Sequence, residues 1–425
     1  MLALRLIRVA HPAVQLRRLT VVAASAGTGF LLLSSLGHAL GHPDDPSAAL
    51  LRLAWCAVPL AATAHLAVAV ARSDPGTRPR SGLSALGLGP ARLMAVSAAT
   101  TALACAFGSL LALLLFLLLR GDLPGPPFPL DGAAYGFLAA RERLPAAGTL
   151  TLLATVPAVA SAAVAAALRP RERTDRPSRT DTTPSPSPDG AAPDAVQDAP
   201  ADGGEASDDP VPGDGTGPAL PSDRSPAGLP WGIAVLAAGL TVETYAGRTP
   251  DGASRAFLPG DLTAGSVPVL AGWLLTALGL ALAGPGLTHL CGRLLQAVRP
   301  GALRLLAGRV LMAEAGRIGR PLGVVCAVAS GTYAMTALHG GAAAPPGPLT
   351  ALGALLVAGC AVAALLTAAV EARQVRAGTT AALRRLGAPA TVLRSAAALR
   401  AAALLALFLP LTWAVATLAA LPLAH

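Results

Sequence analysis

Runs of about twenty apolar residues recur along this 425-residue chain, and they limit its folds more than any other feature. A run of that length crosses the hydrocarbon core of a bilayer as a single α-helix. The runs fall at about 19–40, 50–71, 93–119, 145–168, 229–245, 267–290, 322–338, 349–370 and 397–423. They predict an all-α integral membrane protein with about nine transmembrane helices. The fifth and seventh runs lie near the lower length limit, so eight to ten spans fit the pattern. The run at 19–40 follows Arg17 and Arg18; it is long for a secretory leader, lacks a clear cleavage site, and reads as the first span.

Composition agrees. The chain is 53% hydrophobic and 13% charged, with a mean hydropathy of +0.59, whereas soluble proteins carry about 25% charged residues. The formal charge of +9 and pI near 10.5 invite a nucleic-acid reading. Arginine-rich cytoplasmic loops explain them better in a polytopic protein. There is no lysine, so every base other than histidine is arginine. Cys56, Cys105, Cys291, Cys326 and Cys360 are scattered in or beside apolar runs and read as small core residues, not as disulfides or metal ligands.

The arginines also set the expected orientation. With the N-terminus inside, the cytoplasmic segments are 1–18, 72–92, 169–228, 291–321 and 371–396, and these with the start of the last span hold 26 of the 32 arginines. The reading is a multi-pass plasma-membrane protein whose N-terminus and central linker are cytoplasmic.

Three regions follow. Residues 1–168 form a first membrane half and 229–425 a second. Between them, 169–228 is rich in Pro, Asp, Ser and Gly, has little to bury, and reads as a disordered linker. The halves echo each other. Arg17-Arg18 and Gly27-Thr28-Gly29-Phe30 parallel Arg317, Arg320 and Gly331-Thr332-Tyr333, and Gly76-Thr77 parallels Gly378-Thr379. The pattern is a three-span unit present twice, roughly at 1–119 and 302–423. Both copies start inside, which makes them parallel repeats.

Chemistry-bearing motifs are scarce. A P-loop needs lysine, so the chain has no ATPase motif of its own, and neither HExxH nor GxSxG occurs. We expect no catalytic residue, no cofactor and no metal site. His38 and His42 have helical metal-ligand spacing but flank Gly41 and Pro43, which reads as an interfacial loop. His65 lies inside the second span, Glu243 near the outer end of the fifth, where it is expected to reach water, and Glu314 on a basic stretch where an arginine would pair with it. That stretch, Arg293–Arg320, alternates apolar residues (Leu303, Leu305, Leu306, Val310, Leu311, Ile318) with arginines and reads as a helix lying at the inner interface. It has no exposed aromatics for nucleic acid.

The most informative loop is Glu371–Leu393, EARQVRAGTTAALRRLGAPATVL. It predicts a short basic helix, a break at Gly387-Ala388-Pro389, and a helix running back into the membrane. Glu371 and Arg373 at the end of a span, followed by Leu383, Arg384, Leu386, Gly387 and Ala388 in the pattern LR-x-LGA, resemble the C-terminal module of FtsX-like ABC transporter permeases. The resemblance implies that this segment, with Arg385 and Pro389, is a coupling helix that docks on a separate ABC-type ATP-binding subunit. It implies a permease subunit acting in export or mechanical signalling, in contact with lipid, not with nucleic acid, and free to form a homodimer. A weaker copy comprises Arg72, Leu83, Leu86, Gly87 and Pro90; it lacks counterparts of Glu371, Arg384 and Arg385, so the second copy is the stronger candidate. The outer loops leave no room for a large extracytoplasmic domain. The alternative is a non-transporting membrane scaffold or sensor derived from a permease.

Overall fold

The structure, a computed structural model, describes residues 12–44, 46–73, 90–121, 144–169, 228–247, 267–297, 301–339, 347–387 and 389–420. All of them belong to one compact unit, formed by residues 1–169 and 224–425. The linker expected at 169–228 lies outside the described residues except at its first and last positions.

The described residues are helical throughout their regular structure, with no strand. The helices are α1 (Pro12–Gly41), α2 (Pro46–Trp55), α3 (Ala57–Ser73), α4 (Pro90–Arg120), α5 (Ala146–Leu168), α6 (Gly228–Gly247), α7 (Val267–Ala297), α8 (Ala302–His339), α9 (Pro348–Arg385) and α10 (Ala390–Ala420). Proline opens α2 and α9, where its fixed φ suits the first turn and its missing N–H forgoes no intrahelical bond. Among the described residues, seven helical segments are long and apolar enough to cross a membrane, within α1, α2–α3, α4, α5, α7, α9 and α10. Seven of the nine expected spans thus meet this measure. The two that fall out are the fifth and seventh runs, in α6 and α8. Helix α6 is 20 residues long and contains Glu243. Helix α8 carries Arg304, Arg309, Glu314, Arg317 and Arg320 in its first half.

Two expected local structures are also corrected. The basic segment after residue 370 is not a separate helix. It continues α9 without a break to Arg385, because nothing between Glu371 and Arg385 interrupts the helical hydrogen bonds. Nor does the stretch 293–320 form one interfacial helix. Its start belongs to α7, and residues 302–320 run on through Pro321 into the apolar half of α8. Leu311 of its apolar stripe is buried, but Leu305 and Leu306 are exposed.

Close helix approach explains the arrangement. Lipid tails are as apolar as leucine, so helices in a bilayer associate through tight packing of small residues and through hydrogen bonds. Helix α7 presents glycine on two faces. Gly272, Gly279 and Gly286, seven residues apart, face α6. An added Cβ would lie 2.6 Å from Glu243 Cγ, 2.5 Å from Leu236 N and 2.6 Å from Leu229 Cβ, respectively. Gly284 and Gly292 face α8, where a Cβ would lie 2.9 Å from the Gly319 carbonyl carbon and 2.8 Å from Met312 Cγ. Along both seams residue numbers rise on one helix as they fall on the other, so α6 and α8 each run antiparallel to α7.

Helices α1, α3, α4 and α5 pack together, and α9 joins them although it follows α8 in sequence. Ser25 donates to the Cys105 carbonyl at 2.8 Å, and Gly29 meets Ala112. These contacts make α1 and α4 parallel. Thr28 and Thr63 share a hydrogen bond of 2.8 Å between α1 and α3. Cys360 and Ala364 of α9 complete a core with Val21, Leu66 and Ala67. The outside is the converse: Leu103, Phe107, Leu110, Leu111 and Leu114 of α4 are exposed along one side, as are Leu405, Leu409 and Trp413 of α10. Hydroxyls and glycines inside with leucine outside suit a lipid surround.

One helix offers an internal comparison. Gly319 faces α7, with an added Cβ 2.5 Å from Pro285 Cα, whereas nothing lies within 4 Å of a Cβ at Gly316. Gly319→Ala is expected to lower stability in detergent by about 1–3 kcal/mol through overpacking. Gly316→Ala is expected to leave it unchanged or raise it by about 0.5–1 kcal/mol. Thermal unfolding of the two purified variants checks this.

Candidate functional site: an arginine arm and its ion pair

The arm begins where α9 leaves its buried surroundings. Ala372 is fully buried and Glu371 half-buried, but Arg373, Gln374, Val375, Ala377, Gly378 and Thr379 are exposed. Within this part of the helix, hydroxyl groups bond back to the helix's own carbonyls. Thr379 and Thr380 both bond back to the Arg376 carbonyl at 2.9 Å, as hydroxyls do when they turn inward on a helix.

The end of the arm follows from backbone chemistry. Leu386 N–H donates to the Ala382 carbonyl and Gly387 N–H to the Arg384 carbonyl, both at 3.0 Å. Gly387 has φ +89°, the left-handed region that glycine enters without a Cβ penalty, so the chain leaves α9 there. Helix α10 begins three residues later. The expected break at Gly387 is therefore present, at the end of a long helix instead of a short one.

Leu386 sits at this turn and is 84% exposed. Val375 is also exposed. It lies eleven residues earlier, about three helical turns, which puts it on the same face as Leu386. Arg373, Arg384 and Arg385 are exposed around this apolar strip, and Pro389 is exposed beside it. The side chain of Leu383 and all of Ala388 lie outside the described residues. In the weaker copy, Arg72 is exposed at the end of α3, while Leu83, Leu86 and Gly87 lie outside the described residues. Pro90 is the first residue of α4, and its side chain is not described.

An ion pair ties the arm to α8. Arg376 Nε approaches Glu314 Oε1 of α8 at 2.7 Å and also donates to the Ala372 carbonyl at 3.0 Å. The Glu314 side chain is 10% exposed and that of Arg376 25%. Arg400 of α10 lies close enough to act on the same carboxylate and donates to the Ala396 carbonyl at 3.3 Å. Three helices thus meet around Glu314. Burial pushes its carboxyl above the ordinary value, while Arg376, Arg400 and Arg317 pull it back. Pairing of Glu314 with an arginine was expected; its partner and the position of the pair at the root of the arm come from the structure. Arg376, Arg400 and Val375 were not singled out for a role, although Glu314 is the one acid in a run of arginines from 293 to 320 and marks where a partner is needed.

The other candidates separate. The His38 and His42 rings stack with centroids 4.2 Å apart, and the His42 ring reaches the His38 carbonyl at 3.2 Å. Among the described residues no group of three His, Cys, Asp or Glu side chains could hold a metal. His65 Nε2 is buried with no hydrogen-bond partner among them. Glu243 does not reach water: it is 2% exposed and accepts a hydrogen bond from Thr276 at 3.0 Å. Close approach of α6 and α7 at Gly239 and Gly272 encloses it.

No protein-family profile, curated protein or solved structure matches this chain.

The sign of the pH effect follows from the raised Glu314 value. A raised folded-state pKa means that the fold favours the protonated acid, so this contribution to stability is present below the unfolded pKa and lost as pH rises through the folded one. The ion pair itself behaves oppositely, dissolving as pH falls through a value above that of a free glutamate. The protection of the 371–387 amides against hydrogen–deuterium exchange, taken relative to the intrinsic rate at each pH, should therefore fall on acidification across that range. Glu314→Gln should lower that protection about tenfold at neutral pH, the loss of a charge-assisted hydrogen bond, and leave it independent of pH.

Proposed function

We propose that this chain is the membrane-spanning permease subunit of an ABC-type transporter, in which the 371–389 segment couples a separate cytoplasmic ATPase to export or to mechanical signalling. The observation that carries this reading is the exposed Leu386 tip. It ends a helix that is continuous with a candidate membrane span and is pinned at its root by Arg376 and Glu314. A displacement applied at Leu386 would move α9 as a rod and would act on α8 and α10 through Glu314 and the Gly387 turn. The lack of a P-loop leaves energy supply to a partner. The exposed Arg373, Arg384 and Arg385 suit an acidic groove on that partner, and the exposed Val375 and Leu386 an apolar floor in it.

The arrangement of helices supports the nine-span, two-repeat architecture. Helices α6 and α8 run antiparallel to α7, as spans alternating across a bilayer must. Helices α1 and α4, first and third of one unit, are parallel; so are α8 and α10 of the other, where Glu314 neighbours Arg400 and Cys326 neighbours Thr412. The second helices of the units, α3 and α9, pack against each other. The clustering of Arg317, Arg376 and Arg400 around Glu314 supports placing this end in the cytoplasm, with the N-terminus and the linker, in the plasma membrane.

The test is affinity purification of the full-length chain from its native membranes, with the ATP-binding subunit identified and its ATP hydrolysis measured. Leu386→Asp is expected to lose that subunit while retaining helical content and a monodisperse profile. Recovery of the subunit by Leu386→Asp at the wild-type level would remove the coupling role. Failure of the wild-type chain to recover an ATPase would instead favour the scaffold or sensor reading.

A further inference from the structure

Glu243, Thr276 and Ser330 meet around a small cavity between α6, α7, α8 and α10, also lined by Trp273, Gly331 and Val415. The cavity has about 20 Å³ of room, enough for one water molecule or a comparably small ion. Thr276 donates to Glu243 Oε1 at 3.0 Å. The second carboxylate oxygen, Oε2, is buried and has no hydrogen-bond partner among the described residues.

This site is built by the backbone. A Cβ at Gly272 would lie 2.6 Å from Glu243 Cγ, and one at Gly239 would lie 2.5 Å from Thr276 N. A Cβ at Gly331 would press on the Trp273 ring at 3.2 Å. Three glycines on three helices thus make the space in which a carboxylate, two hydroxyls and an indole gather. A carboxylate so enclosed has lost its hydration, which is costly unless something replaces it. One hydrogen bond from Thr276 replaces part of it.

We propose that this cavity binds a small monovalent cation, with Glu243 Oε2 as its charged ligand and the Thr276 and Ser330 hydroxyl oxygens as neutral ones. The donor atoms are hard oxygens without thiolate or imidazole, which suits an alkali-metal ion or a primary ammonium group and not a transition metal. A single carboxylate balances a single positive charge; a divalent ion would leave one charge unbalanced in a buried site. The Thr276 hydroxyl can donate to Glu243 and still accept a cation through its remaining lone pair. Alkali-metal ion and ammonium share this chemistry, and the proposal is independent of the coupling role of α9.

The experiment uses the full-length protein in lipid nanodiscs and follows the intrinsic fluorescence of its four tryptophans, the Trp273 contribution being the difference from Trp273→Phe. Chloride salts of sodium, potassium and methylammonium are titrated at constant ionic strength against N-methylglucamine chloride. A saturable change is expected with at least one of these cations, and it should vanish in Trp273→Phe. Glu243→Gln keeps an oxygen for Thr276 and the side-chain volume, and should weaken apparent affinity by about tenfold or more. Ser330→Ala should weaken it less. Methylammonium alone eliciting the response would assign the site to an ammonium-bearing ligand, and sodium or potassium to the ion itself. The proposal is overturned by no saturable response to any of the three, by an unchanged response in Glu243→Gln, or by a response to pH alone.

Discussion

Helix α7 can be approached to backbone distance from two sides, and much of this molecule depends on that. Its glycines at 272, 279 and 286 admit α6, and those at 284 and 292 admit α8. In lipid no general hydrophobic force draws one helix to another, so contact at this range, with its many small dispersion terms, sets which helices are neighbours. The approach of α6 fixes Glu243 beside Thr276. That of α8 fixes the direction in which its charged first half points, and so where Glu314 can meet α9. The polar features of the second half are consequences of where two backbones can come close.

The first half uses hydroxyls where the second uses glycine. Ser25 bonds to the Cys105 carbonyl, Thr28 to Thr63, and Ser109 to the Leu153 carbonyl at 3.2 Å, linking α1, α3, α4 and α5. Interhelical bonds of this kind contribute about 1 kcal/mol each. The short side chains matter as much, since they leave room for Leu33 and Phe116 to be fully buried between them. Helix α9 enters this group through Leu356, which meets Gly27, and through Cys360 and Ala364. The chain therefore crosses from one group of helices to the other twice within its last 80 or so residues, at α8–α9 and at α9–α10, and the second crossing is the Gly387 turn.

Helix α9 is buried at Cys360, Ala361, Ala364 and Ala372 and exposed over its last turns. Helix α9 has 38 residues, roughly 57 Å at 1.5 Å per residue. Its membrane-side half is fixed by small-residue contacts, and its free end carries Leu386 and three arginines. Glu314 sits where the two halves join and pairs there with Arg376. In the permease reading this makes the root of the arm, as well as its tip, a point of control.

Hydropathy, arginine placement and the Gly387-Ala388-Pro389 break determined that this chain is a set of long apolar helices, that a helix stops at Gly387, and that Glu314 needs an arginine. These are local properties: each is settled by residues within a turn or two, or by the sum over one segment. Three features were not legible. Glu243 was expected near water and is buried, because its surroundings depend on a glycine seam with a helix whose Thr276 is 33 residues away. The stretch 293–320 looked amphipathic enough for a lipid surface, but Pro321 does not stop α8, and Gly308 and Gly319 dock on α7 instead. The Gly-Thr echo between Thr28 and Thr332 reads as a repeat, yet Thr28 is buried against Thr63 while Thr332 is exposed. A side chain's type is written in the sequence, but its dielectric surroundings are set by the distance between backbones far apart in the chain, and only the tertiary structure fixes that distance.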